Sequence, residues 1–414
     1  VTGAALGIDL GTSGVRAVLV DEAGEAVVSA SAPLSAAARG ECALLWAAVA
    51  TALDGLAGRL GDVRAIAVDG TSGTLLPADA TGAPMGRLSL YSAAASADAV
   101  AAVARAMPRE SAAGGATSPL ARALDLQRAG AVRVLHEADW IAGQLCGRFD
   151  LADANNALKT GFDPRGTGWP DWIAATGLRL DLLPRIVPPG TPVAAVTPAI
   201  VARFGLPEGA VVMAGTTDGC ASVLATGAEG VGDGVTALGS TLVLKLVSDQ
   251  PVFAPEVGVY SHLLLGRWLA GGASNAGGRA LARFFAPAQL AALSERIDTA
   301  RPSGLDYYPL PTMGERFPVN DPALAPRVTP RPDDDVRFLH GLLEGLAAIE
   351  ARGYALLRKL GGPPVRRVLS TGGGAGNPAW TALRARALGV PVIAVPERPA
   401  AHGAALLALR GLQS

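Results

Sequence analysis

Cysteine, lysine and histidine are all scarce in this chain of 414 residues. It has three cysteines (Cys42, Cys146, Cys220), three lysines (Lys159, Lys245, Lys359) and four histidines. The cysteines are too scattered for a disulfide framework or a zinc site, so a reducing compartment is expected. None of the lysines follows a glycine, which excludes the Walker A phosphate loop. His136-Glu137 opens a run like H-E-x-x-H, but position 140 is Trp. The other histidines, His262, His340 and His402, lie far away in sequence, so hydrolysis by a bound metal is not expected. The nucleophile elbow G-x-S-x-G is missing too, since GTSG sets its serine directly before the glycine. No run of eighteen apolar residues is free of charges and helix breakers, and no secretory leader pattern opens the chain. The 35 basic and 36 acidic residues nearly cancel. That gives no support to a nucleic-acid or membrane-surface role, and the chain is expected to be soluble and cytoplasmic.

What the chain has in quantity is apolar sequence: half of its residues are hydrophobic and 17% are charged. A chain this long exceeds one ordinary core, so two domains are expected, residues 1–207 and 208–414. Apolar runs around Asp9, a turn at Asp21–Gly24 and a run to Val28 read as a hairpin. Residues 44–60 carry helical spacing, 64–69 read as a buried strand and 75–83 as strand and turn. Alanine-rich stretches at 93–107 and 119–147 read as helix, and 163–190 as irregular. The pattern then restarts. A strand at 210–214 leads to Gly215-Thr-Thr-Asp218, where Thr217 or Asp218 can cap a helix. Residues 234–246 form a hairpin around Gly239-Ser240-Thr241. A long helix at 338–360, a strand at 366–370, a helix at 378–388, a strand at 390–395 and a helix at 402–412 follow. Strands alternate with helices in both halves, so the expected class is α/β with two related domains facing a central cleft.

The turns carry the chemistry. Gly11-Thr12-Ser13-Gly14 follows Asp9, and a second GTSG follows Asp69. Small turns of this kind present backbone N–H groups and hydroxyls to an anion, phosphate above all. Each is also an ordinary hairpin turn by composition. Asp9, at a strand end, can hold Mg²⁺ through water; it can equally bond turn N–H groups. Asp218, at a strand-to-helix junction, is a candidate general base or a plain N-cap. Arg16 either offsets phosphate charge or is solvated.

Five segments occur in one order along nearly the whole chain: Asp9-Leu-Gly-Thr-Ser-Gly14, Val68-Asp-Gly-Thr-Ser-Gly-Thr74, Gly215-Thr-Thr-Asp218, Gly271-Gly-Ala-Ser-Asn275 and Thr371-Gly-Gly-Gly-Ala-Gly-Asn377. Together they resemble the FGGY carbohydrate kinases, most of all the short D-ribulose (pentulose) kinase branch. The resemblance implies two ribonuclease-H-like domains of the actin and sugar-kinase type. It implies phosphoryl transfer from ATP, with Mg²⁺, to a hydroxyl of a small sugar, most naturally a ketopentose such as D-ribulose or xylulose. Asp218 corresponds to the general base and Asp9 to the metal and substrate element, expected from opposite domains. Gly70, Thr71 and Ser72 correspond to the sugar loop. Thr12, Ser13 and Arg16, with Gly239, Ser240 and Thr241, correspond to the phosphate elements. Gly373, Gly374 and Asn377 correspond to the nucleotide loop, near Trp380. Such chemistry rests on positioning and charge stabilisation.

One departure stands out. Relatives carry Asn-Asp-x-Arg after an aromatic residue, and here the stretch is Tyr91-Ser-Ala-Ala-Ala95. That raises two alternatives: a nucleotide-binding protein of the same fold with weak or no catalysis, or a kinase for a polyol such as glycerol. Lys159 is a candidate replacement contact. A Rossmann reading of Gly374-Ala-Gly-Asn-Pro-Ala379 fails because too little chain follows Glu397. The sequence implies no nucleic-acid or membrane partner and leaves a homodimer open.

Overall fold

Four strands near the start set the frame of the first sheet: β1 (Ala5–Leu10), β2 (Gly14–Val20), β3 (Ala26–Pro33) and β4 (Ala65–Gly70). All six residues of β1, and all six of β4, are buried. Burial on both faces suits strands at the centre of a sheet covered on both sides. The computed structural model describes residues 4–413. In this sheet the order is β3-β2-β1-β4, then the strands Val211–Met213 and Pro192–Ala195, while the short strand Thr216–Thr217 also pairs with β4. The hairpin β1–β2 and its neighbour β3 are antiparallel. β4 and Val211–Met213 run parallel to β1.

The second sheet repeats this plan. Strands Arg267–Ser274, Leu242–Ser248 and Asp233–Leu238 are antiparallel neighbours. Arg367–Thr371 and Val392–Ala394 then continue in parallel. Three antiparallel strands followed by two parallel ones, twice over, account for the faint internal repeat of the sequence. Each sheet has its own apolar cluster, one around Leu6, Ile8, Leu45 and Ile66, the other around Leu244, Phe317, Phe338 and Leu342.

The helices form where the local chemistry favours them. Asp334 caps Asp335–Lys359 by accepting from Val336 N at 2.9 Å, and Arg358 and Lys359 face the negative end of that helix. Asn377 caps Pro378–Leu388, Pro378 stands in its first turn, and Gly389 ends it in the left-handed region at φ 69°.

One sequence expectation is corrected. The stretch 119–147 is not one helix: Gly130 (φ 94°) stops Pro119–Arg128, and Arg133–His136 is a strand paired with Leu75–Ala78. Val132 and Val134 favour that strand, and its partner is too distant in sequence to be read locally. One compact unit comprises residues 1–225, 262–266 and 398–414, and the other residues 226–261 and 267–397. Val211–Met213 and Thr216–Thr217 pair with β4, which draws them into the first unit. The helix Ala400–Gly411 returns to β1: a Cβ on Gly7 would lie 1.9 Å from Ala401 O, and one on Gly403 would lie 1.8 Å from Ala221 O. Only glycine permits such approach.

Candidate functional site

The parallel register of β1 and β4 sets Asp9 directly beside Asp69, and the antiparallel register of β1 and β2 sets Arg16 on the other side of Asp9. Thr216 stands opposite Asp69 on the far side. One row across the sheet therefore reads Arg16, Asp9, Asp69, Thr216. Arg16 Nη1 donates to Asp9 Oδ2 at 3.2 Å. Asp9 is 4% exposed and Asp69 is fully buried. Burial pushes the Asp9 carboxyl above its usual range, against the pull of Asp69 and Arg16. Asp69 is pushed well above it, first by burial, then by the charges of Asp9 and Asp218. Neither oxygen of Asp69 meets a protein donor of normal geometry, though the Asp9 carboxyl is close enough to share a proton.

The two GTSG turns behave differently. After β1, Thr12 and Ser13 are exposed, and Ser13 O accepts from Leu34 N at 3.0 Å. After β4, the loop is tied down from below. Glu137 Oε1 accepts from Thr71 N at 2.9 Å and from Thr71 Oγ1 at 2.5 Å. Its other oxygen pairs with Arg39 Nη2 at 2.6 Å, and Arg39 also donates to Leu10 O. Arg122, 3% exposed, donates to the carbonyl oxygens of Gly73 and Ser89. Burial without a carboxylate partner lowers its pKa to about 10. The Thr71 hydroxyl is thus committed to Glu137 and Thr74, and serves to fix the loop. Ser72 Oγ is buried and makes no protein hydrogen bond.

Asp218 opens the helix Asp218–Ala225 directly after Thr217. Thr217 Oγ1 accepts from Cys220 N at 3.4 Å, the cap contact that left either residue open in the sequence. Asp218 Oδ1 accepts from Gly219 N at 2.6 Å. The preceding strand is pinned by two buried asparagines. Asn155 Nδ2 donates to Thr216 Oγ1 at 3.0 Å and Asn156 Nδ2 to Thr216 O at 3.1 Å. Asp153 in turn accepts from both of their backbone N–H groups, and burial, then the charge of Asp139, pushes its pKa up to about 6. Asp9 and Asp218, expected from opposite domains, belong to the same compact unit.

Asp69, Glu137 and the Asn155–Asn156 pair were missed as site residues by the sequence reading. Asp69 had a signal: it precedes the second GTSG as Asp9 precedes the first. Glu137 and the asparagines had none, because their partners are 66 and 60 or more residues away in the chain.

In the second unit, Gly239 and Ser240 are exposed at the turn between Asp233–Leu238 and Leu242–Ser248, with Thr241 half-buried. Gly278 N donates to Gly239 O and Arg279 N to Ser240 O, which fixes this turn. Ser274 and Asn275 are held by buried Glu315 at 2.5 and 2.7 Å. The loop after Arg367–Thr371 lines a cavity of about 800 Å³ through Gly373, Gly374, Asn377 and Trp380, opposite Leu290 and Ile297. A Cβ on Gly374 would lie 2.4 Å from the Trp380 ring, so the loop passes flat over the indole. Trp380 Nε1 is buried without a partner. The Asn377 side chain is committed within the protein: Oδ1 accepts from Trp380 N at 3.0 Å and Nδ2 donates to Ser294 Oγ at 2.8 Å. Behind the loop, Arg384 makes two bonds to Glu350, at 2.6 and 2.7 Å, and one to Ser370 Oγ at 2.6 Å. A concave, largely apolar cavity edged by glycine backbone suits a flat heterocycle.

Among the described residues no group of three or more His, Cys, Asp or Glu side chains could hold a metal ion. Magnesium asks for less, since it keeps most of its water and takes one or two carboxylates. The abutting Asp9 and Asp69, whose oxygens lack protein donors at Asp69, fit that demand. All three cysteines are buried, and no disulfide joins them. Among the described residues no helix is long and apolar enough to cross a membrane.

Residues 234–412 match the FGGY family of carbohydrate kinases, C-terminal domain. The chain is 27% identical over 287 residues to an autoinducer-2 kinase of Enterobacter sp. (strain 638), covering 63% of this chain and 53% of that one. It is 28% identical over 247 residues to the xylulose kinase of Bacillus subtilis (strain 168), covering 57% and 49%. It spans about half the length of these curated relatives. The crystal structure of xylulose kinase from Rhodospirillum rubrum superposes with a TM-score of 0.84 at 26% identity, covering 99% of this chain and 89% of that one. The fold is the two-domain α/β fold of the actin and sugar-kinase type, as expected from the ordered turns.

Proposed function

We propose that this chain, whose residues 234–412 form an FGGY carbohydrate-kinase C-terminal domain, transfers the terminal phosphoryl group of ATP to a hydroxyl of a small sugar, with a ketopentose such as D-ribulose or xylulose as acceptor. The observation that carries this reading is Asp218: a carboxylate at a helix N-terminus, beside a buried Asp9–Asp69 pair, on a strand pinned by Asn155 and Asn156. In this reading Asp218 takes the proton from the attacking hydroxyl as the O–P bond forms. Gly70, Thr71 and Ser72 form the loop over the sugar; Thr71 acts by holding the loop to Glu137 and Ser72 by its uncommitted hydroxyl. Thr12, Ser13 and Arg16, and separately Gly239, Ser240 and Thr241, offer exposed hydroxyls, backbone N–H groups and one guanidinium to phosphate oxygens. Gly373 and Gly374 lie against the nucleotide, and Asn377 shapes that loop by capping the following helix. Asp9 would hold Mg²⁺ through its water shell, and the ion would neutralise phosphate charge.

A second reading has one observation in its favour. Tyr91–Ala95 offers neither carboxylate nor guanidinium, and Tyr91 N is bonded to Thr74 Oγ1. A nucleotide-binding protein with little turnover would tolerate such a stretch. Coupled measurement of ADP release with D-ribulose, D-xylulose, glycerol and pentitols separates the two. Sugar-stimulated release is expected with a ketopentose; none above the ATP-only rate with any acceptor sinks the kinase reading.

A further inference from the structure

The run from His136 to Asp139, which fails as a metal motif, forms the buried start of the helix Glu137–Cys146. Two of its side chains hold one segment, residues 153–160, at both ends. Asp139 Oδ1 accepts from Asp153 N at 3.4 Å, and Asp139 Oδ2 bonds His136 Nδ1 at 3.0 Å. The other ring nitrogen of His136 lies 3.0 Å from Thr160 Oγ1. From within that segment Asn155 and Asn156 reach Thr216, at 3.0 and 3.1 Å. Every residue of this chain of contacts is buried.

Asp153 sets the direction of the two asparagines. Its Oδ1 accepts from Asn155 N at 2.8 Å and Asn156 N at 2.9 Å, and its Oδ2 from Asn156 Nδ2 at 2.6 Å. The Asn156 amide therefore spends one N–H on Asp153 and the other on Thr216 O, which fixes which way it faces. The strand it holds, Thr216–Thr217, is two residues long, pairs with β4 and leads straight into Asp218. Gly215 enters that strand so close to β4 that a Cβ would lie 1.9 Å from Val68 O. So short a strand has too few ladder bonds to fix its own place. Two buried carboxyls beside one imidazole are an expensive filler, since apolar side chains would pack the same space at less cost. What the network supplies instead is a defined orientation.

We infer that His136, Asp139, Asp153 and Thr160 are positioning residues for Asp218, acting through Asn155 and Asn156 on the backbone of Thr216. The inference rests on the kinase reading only for what Asp218 does; the hold on its backbone stands apart from that reading. General-base catalysis depends on placement, and an error of about 1 Å can cost about a hundredfold in rate.

The test uses two substitutions that keep the shape. Asp153→Asn leaves an oxygen for the two backbone N–H groups but sets an amide N–H₂ against Asn156 Nδ2, so Asn156 must turn its oxygen toward Thr216 O. Thr160→Val removes only the hydroxyl that meets His136, and decides the matter if Asp153→Asn does not fold. With the acceptor that the wild type phosphorylates, Asp153→Asn should lower kcat at least about tenfold, the scale of a lost hydrogen bond to a charged group, with KM for sugar and for ATP within about twofold. Thr160→Val should lower kcat several-fold with the same split. Backbone hydrogen exchange, read by mass spectrometry, should quicken in residues 216–222 by at least about tenfold in Asp153→Asn, with β1 and β4 unchanged. A kcat within about twofold of the wild type in every variant that folds overturns the inference. So does a rise in both KM values, or exchange that is unchanged at 216–222 or faster throughout β1 and β4, since a merely structural role does the last. If the wild type phosphorylates no ketopentose or polyol, the kinase reading falls and exchange alone decides: faster only at 216–222 sustains the hold on Asp218, and no change there sinks it too.

Discussion

One cluster of buried charge in each unit shows the same problem solved in opposite ways. In the second, Arg384 and Glu350 are both fully buried, but every charge is answered: two bonds between them, one to Ser370, and a further bond from Thr236 to Glu350. In the first, Asp9 and Asp69 lie side by side with one half-exposed guanidinium between them and solvent. The sheets share a core of three antiparallel and two parallel strands, so that core does not account for the difference. The closed cluster holds a helix and a strand around the Gly372–Asn377 loop and has nothing left to bind with. The open one is not closed in this way. Proteins keep such unsatisfied charge where function demands it, at some expense of stability.

The sharpest way to break this comparison is to open the closed cluster. Glu350→Gln should destabilise the protein by about 3–5 kcal/mol, the cost of leaving a buried guanidinium without its charge partner. Urea denaturation reads it, and a loss under about 1 kcal/mol would mean that the cluster is not tight. Next in size, Asp218→Asn should lower sugar phosphorylation at least about a hundredfold, the scale of general-base loss, with the urea midpoint nearly unchanged. Turnover near that of the wild type would remove Asp218 from the role of base.

Smaller still, and of opposite sign, is the effect of Asp69→Asn on stability. The folded pKa of Asp69 is raised, so its folded form holds a proton that the unfolded chain, with a carboxyl near 3.9, gives up. The contribution from Asp69 is therefore fully present below about pH 4 and is lost as pH rises through the raised folded value. The variant should match the wild type near pH 4 and exceed it progressively as pH rises above that. Urea midpoints of both proteins across that range decide it; a constant difference would show that Asp69 does not titrate as the geometry requires.

The sequence made some of this legible and hid the rest for physical reasons. Strands at 65–70 and 367–371 and helices at 335–359 and 378–388 carry their own caps, periodicity and breakers, so local reading suffices. Asp9 and Asp218 could be singled out because each adjoins a turn of small residues. Asp69 shared that signature at the end of the strand read at 64–69, but only strand register brings it against Asp9. The clamps Glu137, Arg122, Asn155 and Asn156 are written nowhere locally; their partners are set by tertiary packing. The strand Arg133–His136 was absorbed into an alanine-rich helix because its pairing with Leu75–Ala78 spans a long loop.

The unit boundary has a consequence for biosynthesis. The helix Ala400–Gly411 seals β1 and the helix that bears Asp218, with backbone approaches that only Gly7 and Gly403 allow. A ribosome makes β1 before the second unit and that helix after it, so the strand waits long for its cover. The second unit can fold as it emerges, while the first stays exposed to chaperones and to misassociation until residues 400–411 clear the exit tunnel.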